Sequence, residues 1–288
     1  RGFLRRQEVG KESGRREGAR VMDVAREFDQ RFKTAVEKNF DQSADAYDRF
    51  EERHHLFETL TRRQLELIEP SRPERILDVG CGTGISTLAL HQAMAGRSPN
   101  IYAIDISERM LLRARERCKS LPGVYFIRGD AENLSAYFNE AFDAIFYTAS
   151  IFLLPGFAES LRQASHLLVP GGVLSISYYA GLFNEKGDDA IRKAFPEQKY
   201  QYGAVPIGEL VSCLESLPGA RTTRVDFRFE VSRDFLFDFL SIPAQSSGLF
   251  PKIPYLERIP KVRDFCDLLA KRVDPVFMGW EFLIARKR

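Results

Sequence analysis

Apolar positions recur at helical spacing early in the chain: Phe28, Phe32 and Val36 every four residues, then Tyr47, Phe50, His54, Phe57 and Leu60 at steps of three and four. Two helices are expected before any strand, closed by Pro70 and Pro73. Beyond them the pattern changes to short continuous apolar runs alternating with amphipathic stretches. It predicts strands at 75–79, 101–105, 124–128, 142–148 and 173–178, and helices at 85–94, 107–119, 131–138 and 158–168, with Ser107 as an N-cap. Regular alternation with strands apolar along their whole length implies a parallel sheet covered by helices on both faces. The rhythm then breaks. Residues 180–206 are polar and irregular, 207–217 return as a helix, and Val225, Phe227, Phe229 and Val231 alternate as a strand. Residues 232–274 hold four prolines and many aromatics, and a last strand is expected at 276–285.

Composition narrows the reading. Of 288 residues 44% are hydrophobic and 28% charged, enough apolar area for a packed core, so disordered and collagenous classes are excluded. The net charge is +2, yet the first twenty residues carry seven Arg/Lys against three Glu, which leaves the remainder at −2. A near-neutral body disfavours binding to nucleic acid through massed phosphate contacts. The longest uncharged apolar run, 144–154, has eleven residues, short of the roughly 20 that cross a bilayer as a helix. Residues 1–21 read as a disordered basic tail without a secretion signal, and Met22 reads as the natural start. Cys81, Cys118, Cys213 and Cys266 are far apart with no CxxC, so neither a metal site nor a disulfide framework is expected, and reduced thiols suit a cytoplasmic protein.

The strongest local signal is Ile76-Leu77-Asp78-Val79-Gly80-Cys81-Gly82-Thr83-Gly84, an apolar strand that ends in an acid and passes through three glycines into a helix. Glycines let a ligand approach the backbone, and the helix start offers free N–H groups. The dinucleotide fingerprint places its third glycine one residue later than Gly84, and no Gly-Lys-Ser/Thr follows for a P-loop. Asp105 ends the second strand, where a carboxylate can accept both hydroxyls of a ribose. Asp130-Ala131-Glu132 ends the third, where an acid or a backbone N–H can read an adenine edge. An adenosine ligand with no pyrophosphate emerges.

With these motifs in order, LDVGCGTG, AIDIS, GDAENL, FDAIFYTAS and LLVPGGVLSIS, the chain resembles a class I S-adenosylmethionine-dependent methyltransferase of the small-molecule group over roughly residues 43–180. The resemblance implies a Rossmann-like, doubly wound α/β fold with a mostly parallel seven-stranded sheet, closed by an antiparallel pair at 222–231 and 277–285. Its cofactor would be S-adenosylmethionine: Asp78, Gly80, Cys81, Gly82 and Gly84 at the methionine moiety, Asp105 at the ribose, Ile106 and Met110 on the adenine faces, Asp130, Ala131 and Glu132 at the adenine edge, Tyr147 and Thr148 bordering the sulfonium. Tyr47 resembles the tyrosine that covers the cofactor in many members; its other reading is a core aromatic. The expected divisions are a helical cap at 22–70, a core at 71–231 and 275–288, and a lid at 232–274.

No catalytic base stands out. His54 and Tyr47 are weak candidates; His55, His91 and His166 read as structural, as does Asp143, and Cys81 as a spacer. Phe183, Tyr200, Tyr202, Phe235, Phe237, Phe239, Phe250 and Tyr255 fall in the two insertions and suggest an apolar acceptor pocket. The fourth strand ends Tyr147-Thr148-Ala149-Ser150, without the Asn/Asp-Pro-Pro-Tyr/Phe that fixes a planar nitrogen, so oxygen or carbon of a small molecule is the favoured acceptor. The expected state is a monomer or homodimer. Competing readings are a nucleic-acid or protein methyltransferase, a noncatalytic cofactor-binding protein and a nicotinamide-dependent oxidoreductase.

Overall fold

The computed structural model describes residues 29–68, 73–94, 96–197 and 205–288; the expected tail, Met22, Phe28, Pro70, Tyr200 and Tyr202 lie outside them. The chain divides into two compact units, 1–36 and 37–288. Of the first, residues 29–36 are described and helical, with Thr34 Oγ1 donating to the Gln30 carbonyl at 2.9 Å.

The second unit opens with helix α1 (37–54) and α2 (Leu56–Ile68). The break between them is His55, at φ 51°, and it is capped by Glu51, whose carboxylate accepts from the N–H groups of Phe57 at 3.0 Å and Glu58 at 2.8 Å. There follow β1 (Arg75–Val79), α3 (Ile85–Ala93), β2 (Asn100–Asp105), α4 (Glu108–Arg117), β3 (Val124–Arg128), a 3-10 turn (Ala131–Ala136), β4 (Phe142–Thr148), α5 (Phe157–Leu167) and β5 (Leu168–Phe183). Then come α6 (Ala190–Ala194), α7 (Ile207–Ser216), β6 (Ala220–Glu230), α8 (Arg233–Leu240), α9 (Pro243–Leu249), α10 (Tyr255–Arg272) and β7 (Phe277–Lys287).

The seven strands lie in the order β3-β2-β1-β4-β5-β7-β6, parallel except for β7, which runs antiparallel to both β5 and β6. Strand pleating divides the core. Leu77, Ile145 and Tyr147 face the α5 side, while Ile76, Ala144 and Phe146 face Leu90 and Met94 of the α3 side. Asp143 is structural as expected: its carboxylate accepts from the N–H groups of Glu74 at 2.9 Å and Arg75 at 2.8 Å, where β1 begins.

Two expectations change. β5 continues to Phe183, through what read as irregular chain, because β7 pairs with it from Val173↔Arg286 to Phe183↔Phe277 around an irregularity near Gly181. The proline-rich 232–274 segment is three helices: Pro243 stands at the first turn of α9 and Pro254 caps α10. Since β5 and β6 end opposite the same residue, Phe277, this helical segment leaves from the carboxyl edge of the sheet, the edge at which the glycine loop also lies.

Candidate functional site

β1 runs out at Val79, and the loop 80–84 is pinned to the end of β2: Gly80 and Cys81 donate their N–H groups to the Ile104 carbonyl at 2.8 and 3.2 Å. All three glycines have positive φ, but they serve different ends. A side chain at Gly80 would strike Ser150 Cβ at 2.5 Å, and one at Gly84 would strike Ala114 at 2.9 Å, so those two permit close packing. A Cβ at Gly82 would meet nothing within 4 Å. The loop therefore presents open space at Gly82 alone, where a ligand can lie on the backbone.

Two acids flank that opening. Asp105 reaches back to the loop, accepting the Gly82 N–H at 2.8 Å on Oδ2 and the Ser107 N–H at 2.9 Å on Oδ1. Asp78 is fully buried; its Oδ2 accepts the hydroxyls of Ser86 and Thr87, both at 2.7 Å, while Oδ1 has no partner among the described residues. Burial pushes both carboxyls up to about 6, against the pull of those hydroxyls and N–H groups. An orphaned buried carboxylate oxygen beside an uncovered glycine loop is a site built for a polar, hydrogen-bond-donating ligand. A ribose and a zwitterionic amino acid fit this donor set.

A helix closes the site from above. On one face of α1, Asp41 accepts from Ser107 Oγ at 2.5 Å, Asp45 pairs with Arg113, and Asp48 accepts from Arg117 at 2.7 Å. Arg117 also donates to Thr83, to its Oγ1 at 2.8 Å and to its carbonyl, which ties α1 through α4 to the glycine loop. Ser107 is the N-cap of α4, accepting from Met110 N at 3.1 Å. Tyr47, half-buried, stacks on Phe57 at 5.2 Å, meets the Gln245 side chain through its hydroxyl and lies within electrostatic reach of Asp105. Desolvation pushes its phenol well above the ordinary range.

Residues 232–274 rest on the other side of α1. Phe50 packs against Phe235 at 5.3 Å and Phe239 at 5.5 Å, and the Ala244 N–H donates to Ser43 Oγ at 3.0 Å. His54 Nε2 meets Asp238 at 2.8 Å, an oxygen that Arg53 shares at 2.6 Å, so His54 is held by the helical segment; its ring lies tilted against Phe50 at 4.9 Å and edge-on to Phe235 at 4.8 Å.

The other anticipated residues divide. Ile106 and Asp130 are half-buried at the ends of their strands, and Met110 is fully buried. Asp130 caps the 3-10 turn through the Glu132 N–H at 2.9 Å, and Ala131 accepts from Ser160 Oγ at 2.6 Å. Glu132 accepts the Gly156 N–H at 2.6 Å on its carboxylate, at the start of α5. Tyr147 and Thr148 are also placed differently from expectation. The pleat of β4 sends the Tyr147 hydroxyl to Ser160 Oγ at 2.8 Å on one face and the Thr148 hydroxyl to Gln64 Oε1 at 2.8 Å on the other. The strand leaves the sheet only at Ala149, at φ 53°, and Ser150 then donates to the Val79 carbonyl at 2.7 Å, touching the loop. Cys81 is a buried spacer whose thiol is driven well above its ordinary value by burial and by Asp105 and Asp78. Of the insertion aromatics, Phe237 faces Arg263 and Arg233, and Phe183 lies under Arg228. Ser150, Gln245 and the Asp41/Asp45/Asp48 stripe went unread in the sequence, although the stripe's four-and-three spacing is a legible helix face.

Residues 76–172 match the methyltransferase domain family. Over 155 residues the chain is 32% identical to a malonyl-acyl-carrier-protein O-methyltransferase of Halalkalibacterium halodurans, covering 51% of this chain and 55% of the relative. Over 135 residues it is 36% identical to a trans-aconitate 2-methyltransferase of an Acidovorax species, covering 45% of this chain and 46% of the relative. Among solved structures, the cyclase SpnF superposes with a TM-score of 0.53 at 22% identity, over 80% of this chain and 81% of that one, which shows a common fold. The chain spans about half the length of the curated relatives it matches. The matched segment, residues 76–172, is similar to the methyltransferase domain of these relatives and lies within a Rossmann-like seven-stranded sheet. Among the described residues, no helix is long and apolar enough to cross a membrane, and no group of His, Cys, Asp and Glu side chains could hold a metal ion.

Proposed function

We propose that this protein transfers a methyl group from S-adenosylmethionine to an oxygen or carbon atom of a small, partly apolar molecule in the cytoplasm. The observation that carries the reading is the orphaned Asp78 Oδ1 beside the uncovered backbone of Gly82, with Asp105 bridging loop and strand at the same edge. Asp105 would accept the ribose hydroxyls on lone pairs left free by its two N–H bonds. Asp78 and the Gly82 backbone would hold the amino-acid end, and Ile106 and the Asp130-Ala131 backbone would border the adenine. When bound, the cofactor supplies an electrophilic methyl group on a sulfonium.

The chain's part is to position and to exclude water. An acceptor must be held roughly 3 to 3.5 Å from the group it attacks and in line with it, in a site closed to solvent. Tyr47, anchored between Phe57 and Gln245, and the helices of residues 232–274 packed on Phe50 are the elements that would supply this closure. The relatives' names specify a malonyl group on an acyl-carrier protein and trans-aconitate. The test is calorimetry with S-adenosylmethionine, S-adenosylhomocysteine and NAD, followed by an acceptor screen with labelled S-adenosylmethionine. Heat from the first two and label transfer to a small molecule are expected; micromolar NAD binding with no heat from either would refute the reading.

A further inference from the structure

Between α1 and the 232–274 helices lies a cavity of about 170 Å³ that the cofactor site does not use. Part of its lining is apolar, from Phe50 and Ile242, and the rest is polar, from Arg49, Ser241 and Tyr255. Arg53 and Asp238 complete the wall, but their charges are spent on each other, and Asp238 is shared further with His54. Arg49 is different: it is exposed and makes no hydrogen bond or ion pair among the described residues.

The Ser241 hydroxyl is also unsatisfied. Its Oγ is buried without a partner, although the Ser241 carbonyl accepts from the Tyr255 hydroxyl at 3.2 Å. A buried hydroxyl with no partner is costly unless something fills the space beside it. Arg49 and Arg258 both counter the desolvation that pushes the Tyr255 phenol up, and Arg258 is fixed there by the carbonyls of Ile253 at 2.5 Å and Pro243 at 3.3 Å.

We propose that this cavity binds the carboxylate of a small, partly apolar acid, with Arg49 as its charge partner and the Ser241 hydroxyl as a hydrogen-bond donor. One unpaired guanidinium with a neutralised Asp238 nearby suits a single negative charge, and the planar fork of arginine matches the two oxygens of a carboxylate. The volume lies below the roughly 300 Å³ at which sites for drug-sized ligands begin, so it takes a small acid or the acid end of a longer one, the carbon skeleton lying on Phe50 and Ile242. Because Arg49 belongs to α1 and Ser241 to the segment packed on it, such a ligand binds both elements at once and favours their closed arrangement.

The experiment uses the full chain saturated with S-adenosylhomocysteine and compares phenylacetate with phenylacetamide, its neutral analogue, by calorimetry. Phenylacetate is expected to bind at least about tenfold more tightly, as a charge-assisted pair requires. Arg49→Met should abolish the preference, Arg49→Lys should keep part of it, and Ser241→Ala should weaken the acid more than the amide. Because Arg49 has no partner to lose, its variants should melt with the wild type. Equal binding of acid and amide, or a preference that survives Arg49→Met, would overturn the site. If wild type binds no S-adenosylhomocysteine, the methyltransferase reading fails whatever the acid does; if it binds S-adenosylhomocysteine but shows no acid preference, this site alone fails.

Discussion

Asp105 and Asp78 act in one place with opposed requirements. Each is buried enough to be pushed to about 6 from an ordinary 3.8, yet the proposed binding needs them ionised. The folded values lie above the unfolded one, so the folded chain holds these protons more tightly, and the two groups lower stability as pH rises from about 4 to about 6. Cofactor affinity should run the other way, because ribose hydroxyls donate to a carboxylate and less well to its acid. S-adenosylhomocysteine affinity is therefore expected to rise between about pH 5 and 7, while these two carboxyls contribute a falling melting temperature over the lower part of that range. Asp105→Asn should flatten both trends in calorimetry and thermal melts. Asp105→Ala should weaken S-adenosylhomocysteine by about 1.5–3 kcal/mol, through lost charge-assisted hydrogen bonds. Unchanged affinity would mean the ribose lies elsewhere.

At the scale of elements, the α1–α4 seam decides how firmly the cap is seated. Arg117 is largely enclosed and serves both Asp48 and Thr83, whereas Arg113 and Asp45 are about half exposed. Arg117→Ala should therefore cost about 1.5–3 kcal/mol of stability and weaken S-adenosylhomocysteine binding, because charged hydrogen bonds to the glycine loop are lost. Arg113→Ala should cost less than about 1 kcal/mol, as exposed pairs do. Equal effects in urea titrations would show that Arg117 does not transmit to the loop. Phe239→Ala, at 2% exposure against Phe50 and Tyr179, should destabilise by about 3–5 kcal/mol. Much of this level was legible. β1, β3 and β4 have the bounds that their apolar runs suggest, since turn residues flank them. The extension of β5 was hidden because Ala180 and Gly181 read as loop, and only pairing with β7, a hundred residues later, makes them strand. The side-chain directions of Tyr147 and Thr148 follow from the pleat, but the point where β4 leaves the sheet depends on Ala149, which no spacing announces. The Arg49–Ser241 cavity needs elements some two hundred residues apart to meet, so no local pattern could show it.

At the scale of the molecule, the proposed cofactor site borders a seam held by parts distant in sequence: the glycine loop, α1 and residues 232–274. Ser43 joins the last two through Ala244, and Asp48 joins the first two through Arg117 and Thr83. A ligand lodged in that seam binds the assembled state and not the unfolded chain, so it stabilises the fold by mass action, by about 2.7 kcal/mol at a hundred times its Kd. For a chain of this size each kcal/mol is worth roughly 2–4 °C, so saturating S-adenosylhomocysteine should raise the melting temperature by about 5–10 °C, and NAD at the same concentration should not. The stabilisation should also have a location. Amide exchange should slow in α1 and α8 as well as in the 80–84 loop, because α1 is linked to the loop through α4 and to α8 through Phe50, Phe235 and Phe239. Slowing confined to the loop would show that the cap and the 232–274 helices pack on each other without responding to the cofactor. Slowing in all three, lost in Arg117→Ala at matched saturation, would identify Arg117 as the link between ligand and cover.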